Sequence, residues 1–273
     1  MQEPEILSGG SAALSAVQAI VFDLDDTLLE KSEWIIPAME FASSKLGLDP
    51  ARVWELAIQY VQAHGCADAG IYNHVLLECG QSDSAMNIRA FVAWANQFEP
   101  KSGALSLLPG AREALELLGR RYRLGVIADG PVACQKAKLR ATGLDRLVHT
   151  VVYSDEIDGI RSRRPDPRPF RAILTELGTR GPQTTFVADN PLKDFQKPRD
   201  LGFITVRVLT GEYANHDYPT RDHGADYDLS SVARLPDLLA GVTLPRCPSA
   251  ALQSASITAT DGPPSTPAGS LGS

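Results

Sequence analysis

Four aspartates carry most of the chemistry this sequence can offer. Asp23 and Asp25, in Asp23-Leu24-Asp25-Asp26-Thr27, follow directly on the apolar run Ala19–Phe22. If extended geometry continues past that run, both carboxylates project to one side. Like charges so placed cost free energy unless a cation or proton offsets them. A hard cation with oxygen ligands, magnesium above all, is the natural companion. An acidic turn or a helix cap is the plainer alternative for so short a stretch. A second acidic site then appears far along the chain, in Phe186-Val187-Ala188-Asp189-Asn190-Pro191-Leu192-Lys193-Asp194. Asp189 meets Asp23 at one sheet edge if their strands are neighbours, and it then supplies the third carboxylate that an oxygen-rich metal site requires.

The elements that must position these residues read clearly. Ala19–Phe22, Leu124–Ala128, Thr150–Tyr153, Thr184–Ala188 and Phe203–Leu209 are short apolar runs rich in β-branched residues, the pattern of strands buried on both faces. Helical stretches separate them: Ala111–Arg121 after Pro109-Gly110, Val132–Thr142 before Gly143, and Pro167–Leu177 before Gly178. Strands alternating with helices predict a three-layer α/β, Rossmann-like core with a parallel sheet, whose ligand sits beyond the carboxyl ends of the strands. The alternation breaks once. From Leu28 to Leu108 the spacing is helical throughout, with Trp34–Leu46, Pro50–His64, Ile71–Cys79 and Asp83–Phe98 as the helices. Residues 31–105 are therefore expected to form an inserted helical cap, a candidate lid over the acidic edge. Residues 18–30 and 106–242 would form the core, and residues 1–17 an N-terminal extension. Residues 243–273, rich in Ser, Thr, Ala, Pro and Gly, are expected to be a disordered tail.

Taken in order, these stretches resemble the haloacid dehalogenase superfamily, in its phosphatase-like branch with an inserted helical cap. Asp23-x-Asp25-x-Thr27 is similar to that family's first motif, Ala128-Asp129-Gly130 stands at the second, Arg164-Pro165-Asp166-Pro167 at the third, and Asp189 with Asp194 at the fourth. The resemblance implies that Asp23 attacks phosphorus and forms an aspartyl-phosphate. It implies that Asp25 protonates the leaving oxygen and then activates water. Magnesium would be held by Asp23, the backbone carbonyl of Asp25, and Asp189, with Asp194 orienting metal waters or the third motif's base. Thr27 would fix the loop. Asn190 would either reach the site or cap the next helix. A dehalogenase is disfavoured by Asp25, since halide needs no proton to leave.

Two positions depart from that pattern. Ala128 stands where a Ser or Thr hydroxyl ordinarily meets phosphate, which leaves the backbone N–H groups of Asp129 and Gly130 for that task. Arg164 stands where a Lys is ordinary, and a forked guanidinium has a different reach from a point ammonium; Arg161 and Arg163 lie close enough to compete for the role. These departures open a second reading, a weak or inactive member that binds a phosphorylated ligand or partner.

Composition narrows the partners. With a net charge of −7 the chain gives no reason to expect nucleic acid or an anionic membrane, and a small phosphorylated metabolite is the expected partner. Four cysteines without a CxxC pair, no membrane-length apolar run and an acidic N-terminus point to a cytoplasmic protein with reduced thiols. The five histidines form no recognisable site: His64 and His74 fall in the cap, and His216 and His223 in a late loop. Trp34 reads equally as pocket lining or as cap core, and Asp26 as exposed.

Overall fold

The structure, a computed structural model, describes residues 14–66, 68, 70–220 and 224–241. The tail expected over 243–273, most of the N-terminal extension, and His223 lie outside the described residues.

A six-stranded, all-parallel sheet organises the chain, in the order β3-β2-β1-β4-β5-β6. Its strands are β1 Ala19–Phe22, β2 Arg123–Ala128, β3 Thr150–Tyr153, β4 Thr184–Ala188, β5 Ile204–Val208 and β6 Tyr227–Leu229. The side chains of β1 alternate between two apolar layers, as the pleat requires. Ile20 and Phe22 join one layer with Val126, Val187, Leu115 and Leu139; Ala19 and Val21 join the other with Phe186, Phe170 and Ile173. Phe170 meets Phe186 edge-on at 5.0 Å, the geometry aromatic quadrupoles favour. Helices therefore cover both faces.

Register decides where the acids emerge. β1 lies between β2 and β4, with Phe22 opposite both Val126 and Val187. Asp23 N–H donates to Val187 O at 2.8 Å, continuing the ladder one residue past the strand. Asp23, Asp129 and Asp189 thus leave three adjacent strands at one edge.

Four helices fall between β1 and β2: α1 Ser32–Leu46, α2 Pro50–His64, α3 Gly70–Glu78 and α4 Ala85–Ala95. They share apolar residues Met39, Val53, Ile71 and Phe91, all essentially inaccessible. The fourth is shorter than its spacing predicts, because Ser84 Oγ accepts from Asn87 N–H and starts the helix there. β6 escapes detection in the sequence because Tyr227-Asp228-Leu229 carries no apolar run. It is a short edge strand anchored by Asp226, whose carboxylate accepts from the backbone and hydroxyl of Thr205 at 2.8 and 2.9 Å.

Candidate active site

Asp23, Asp189 and Asp194 are all buried, and each offers a carboxylate oxygen within 4.8 Å of the others. Thr27 Oγ1 donates to Asp189 Oδ1 at 3.1 Å, so the threonine ties the loop after β1 to the loop after β4. Asn190 caps no helix, since the next begins only at Gln196; it lines the cleft, with its Oδ1 accepting from Leu192 N–H at 2.9 Å in a turn and its own N–H donating to Asp194 Oδ2 at 3.3 Å. Burial, then the neighbouring charges of Asp23 and Asp194, push the Asp189 pKa well above the carboxylate range. Burial also lifts Asp194 to about 6, even with Arg164 and Lys193 opposing it. Three hard oxygen donors with surplus negative charge fit a divalent cation such as magnesium. Among the described residues this is the single group of His, Cys, Asp or Glu side chains able to hold one.

The Asp25 carboxylate lies apart from that group. Lys138 Nζ, nearly inaccessible on α5 (Val132–Thr142), donates to both Asp25 oxygens at 2.6 and 2.8 Å. The same ammonium lies 4.9 Å from the centre of the Trp34 ring, a cation–π contact. Lys138 and Leu139, with Gly143 and Leu144, also fit the family resemblance, which by itself gives Lys138 no role; Cys134 and Lys138 stand four apart on α5 and so share a face. Lys193, between the two acids of the last motif, was likewise passed over; its Nζ reaches Asp129 Oδ2 at 3.4 Å.

Of the three arginines, Arg164 is the one that reaches the carboxylates. Its guanidinium is buried and donates to Asp23 Oδ1 (2.6 Å), Asp129 Oδ2 (2.9 Å) and Asp194 Oδ1 (3.0 Å). Burial alone would lower its pKa; the three carboxylates outweigh that and hold it charged. Arg163 forms a two-pronged pair with Asp155 at 2.7 Å per contact, and Arg161 is exposed. Arg164→Ala is therefore expected to destabilise the fold by about 3–5 kcal/mol in urea melts, since it strands buried charges, while Arg161→Ala changes it by less than about 0.5 kcal/mol.

Asp26 corrects an expectation. It is not exposed: only 6 % of its surface is accessible, and its backbone adopts the left-handed conformation at φ 58°. Its carboxylate accepts from Lys31 N–H at 3.0 Å, and Thr210 Oγ1 donates to its carbonyl at 2.6 Å. Gly211 packs so tightly on it that a Cβ there would overlap the Asp26 side chain. The loop after β5 thus covers this residue, which its sequence neighbours could not reveal. Burial raises the Asp26 pKa to about 6. A raised folded-state pKa means that folding takes up a proton. The stabilising contribution is complete below the unfolded value near 4 and is lost as pH climbs through about 6. Asp26→Asn should abolish that component, making the metal-free variant more stable than the parent by ~2–3 kcal/mol at about pH 7.5, with the gap closing near pH 4.

These groups floor a cleft of about 610 Å³ whose upper wall, including Trp34, Ile71, Tyr72 and Asn96, comes from the inserted helices. Trp34 serves both of its expected roles, being buried and lining the cleft. Tyr213 closes another side, held by Arg207 Nη2, which donates to the carbonyls of Tyr213 and His216. Ala128 is wholly buried, and the cleft wall beside it is Asp129 and Gly130. A Cβ at Gly130, where φ is 128°, would meet Gln135 Nε2 at 2.7 Å. His64 and His74 stack on Tyr60, and His216 lies against Tyr213, so none of these three joins the carboxylate group. Among the described residues no helix is long and apolar enough to cross a membrane.

A cleft at the carboxyl edge of a doubly wound parallel sheet, floored by carboxylates, defines an α/β enzyme of the Rossmann-like class. The model of the haloacid dehalogenase-like hydrolase family matches residues 20–208. The chain belongs to that family. It is 28% identical over 231 residues to a glyceraldehyde 3-phosphate phosphatase of Methanocaldococcus jannaschii, covering 82% of this chain and 97% of the relative. It is 29% identical over 228 residues to a phosphoglycolate phosphatase of Rhodospirillum rubrum, covering 81% and 90%. Its fold is similar to the magnesium-bound crystal structure of the HAD-hydrolase YfnB from Bacillus subtilis, with a TM-score of 0.58 at 16% identity, covering 82% of this chain and 98% of that one.

Proposed function

We propose that this protein is a magnesium-dependent phosphatase that hydrolyses a small phosphomonoester through an aspartyl-phosphate on Asp23. The observation that carries the reading is the placement of Asp23 between a buried cation, Arg164, and the Asp189–Asp194 pair at the floor of a closed-over cleft. Asp23 Oδ1 already accepts from Leu24 N–H and Arg164 Nη2, each at 2.6 Å, which assigns the attack on phosphorus to Oδ2. Asp23, Asp189 and Asp194 would hold the metal together with the backbone carbonyl of Asp25. When bound, the ion offsets charge on the transferring oxygens and lets an anionic nucleophile approach an anionic ester.

The chain's own groups do the rest. Arg164, donating to Asp23 Oδ1, fixes its rotamer. Asp25, facing the cleft with Lys138, delivers a proton to the leaving oxygen and then accepts one from the water that cleaves the phosphoenzyme. Lys138, donating to both Asp25 oxygens, holds that carboxyl in place. The helical insertion, residues 31–105, acts as the cap that excludes bulk water and selects the leaving group. Small sugar or acid phosphates suit the cleft's size, in line with the phosphatases to which the chain is similar.

A second reading rests on two observations at the phosphate grip. Ala128 offers no hydroxyl, and every nitrogen of Arg164 that faces the site is occupied by a carboxylate. A catalytically weak protein that binds a phosphorylated ligand would look the same in these respects. Hydrolysis of a generic aryl phosphate and of a panel of small phosphorylated metabolites, with magnesium and with a chelator, separates the two. Turnover that depends on magnesium supports the phosphatase. Binding of a phosphorylated compound without any turnover supports the weaker role, and turnover indifferent to the chelator removes the metal from the mechanism.

A further inference from the structure

The wall of the cleft nearest Arg164 carries a carboxylate that the proposed chemistry does not use. Asp129 follows β2, lies on the cleft surface and is largely buried, with 11% of its side chain accessible. Its Oδ2 accepts from Arg164 Nε at 2.9 Å and from Lys193 Nζ at 3.4 Å. Its Oδ1 accepts from Ser154 Oγ at 2.5 Å. Weaker contacts from Arg164 N–H, at 3.3 and 3.4 Å, fasten it further.

The charges around the cleft floor give this arrangement its meaning. The cations lining the cleft are Lys31, Lys138, Arg163, Arg164 and Lys193, of which Lys31 lies beside Asp26. Lys138 is paired with Asp25, and Arg163 with Asp155. Arg164 and Lys193 are therefore the two cations placed to attract a phosphate beside Asp23, and Asp129 contacts both. Burial works to neutralise Asp129, but Arg164, Lys193 and the Ser154 hydroxyl outweigh it and keep the carboxyl ionised. Asp129 is not part of the group of Asp23, Asp189 and Asp194 that would hold a divalent ion.

We infer that Asp129 is a resident anion that competes with the substrate's phosphoryl group for Arg164 and Lys193, and so sets a weak grip on phosphate itself. The inference rests on the phosphatase reading. Its consequence is a division of labour in recognition. A site whose cations are already answered by a carboxylate gains little from binding a bare phosphate. Affinity must then come from the leaving group, through the cleft wall that the insertion supplies, and inorganic phosphate leaves readily as product. Asp129 is a specificity-determining residue in this sense and takes no part in bond making.

The test uses the full-length protein, with inorganic phosphate and magnesium as the probe. Asp129→Asn removes the charge, leaves its one amide oxygen to accept from Arg164 Nε, and turns its NH2 toward Ser154 Oγ, a hydroxyl able to accept. Calorimetric titration should show inorganic phosphate binding about tenfold more tightly to the variant than to the parent. In aryl phosphate hydrolysis KM should fall by a similar factor while kcat changes less. A merely structural residue would give the opposite, weaker phosphate binding together with a lower melting temperature. Unchanged or weaker phosphate binding in a folded variant overturns the inference, whatever the parent's turnover. Tighter binding sustains it even if neither protein turns over, in which case the phosphatase reading falls and this one remains as a statement about a binding site. Should the variant fail to fold, the parent decides. With phosphate and magnesium soaked into a crystal, the Arg164 Nε–Asp129 Oδ2 contact is expected to open beyond hydrogen-bond distance, and a contact that stays closed beside a bound phosphate refutes competition.

Discussion

Asp23→Asn is expected to lower the turnover of any phosphomonoester substrate by ~10⁴-fold or more. The substitution changes one atom and keeps the side chain's shape, yet an amide cannot donate an electron pair to phosphorus as a carboxylate does. The fold should survive it. Arg164 retains Asp129 and Asp194 as partners, so the guanidinium is not stranded, and the amide oxygen can still accept from Leu24 N–H. The loss is therefore chemical rather than structural, and unchanged circular dichroism with an unchanged melting temperature within a few degrees is part of the expected result. Acid quenching of the parent during turnover should trap a phosphoprotein, and the variant should give none. A variant retaining more than about a tenth of the parent's rate would mean that another group attacks phosphorus.

The second large effect concerns Asp189. Asp189→Asn is expected to reduce kcat by ~10²–10³ and to raise the magnesium concentration needed for half-maximal activity. Its effect on stability should have opposite signs with and without metal. In the metal-free protein Asp189 is buried beside Asp23 and Asp194, and that crowding is what pushes its pKa up. Removing the charge relieves repulsion, so the metal-free variant should melt higher than the metal-free parent. Magnesium should then raise the parent's melting temperature through its preference for the folded state, and the variant's far less. Thermal melts across a magnesium series read this directly, and they do so without a substrate. Equal magnesium stabilisation of both proteins would show that Asp189 is not a ligand. The two experiments also fail independently, since one probes a nucleophile and the other a metal.

Both predictions lean on features that are local in the chain, and local features are what a sequence carries well. The strand runs Ala19–Phe22 and Thr184–Ala188 read with the bounds the structure has, because a strand buried on both faces needs a stretch rich in apolar and β-branched residues; the half-buried edge strand Thr150–Tyr153 reads with its own bounds through the same β-branched pattern. Helix α2, Pro50–His64, was equally legible, since a proline near the start and a glycine beyond the end mark where helical hydrogen bonding must begin and stop. The acids at the strand ends were legible for a related reason. Carboxylates following a buried strand stand out against the apolar residues that precede them.

What the sequence determined by itself, then, is the inventory: an alternating α/β chain, one helical interruption, and carboxylates poised at the ends of strands. Only the tertiary structure decided the pairings, because they join residues far apart in the chain. Arg164 rather than Arg161 or Arg163 bonds Asp23, Asp129 and Asp194, since strand order brings the ends of β1, β2 and β4 together while Arg163 is taken by Asp155. Lys138 answers Asp25 across 113 residues, and Asp129 turns toward Arg164 and Lys193. Asp26 is buried because Gly211 comes down upon it from a loop that follows the fifth strand. An ion pair costs or contributes free energy according to which charges surround it and how much water is excluded. Both quantities are properties of packed neighbours, and no run of adjacent residues contains them.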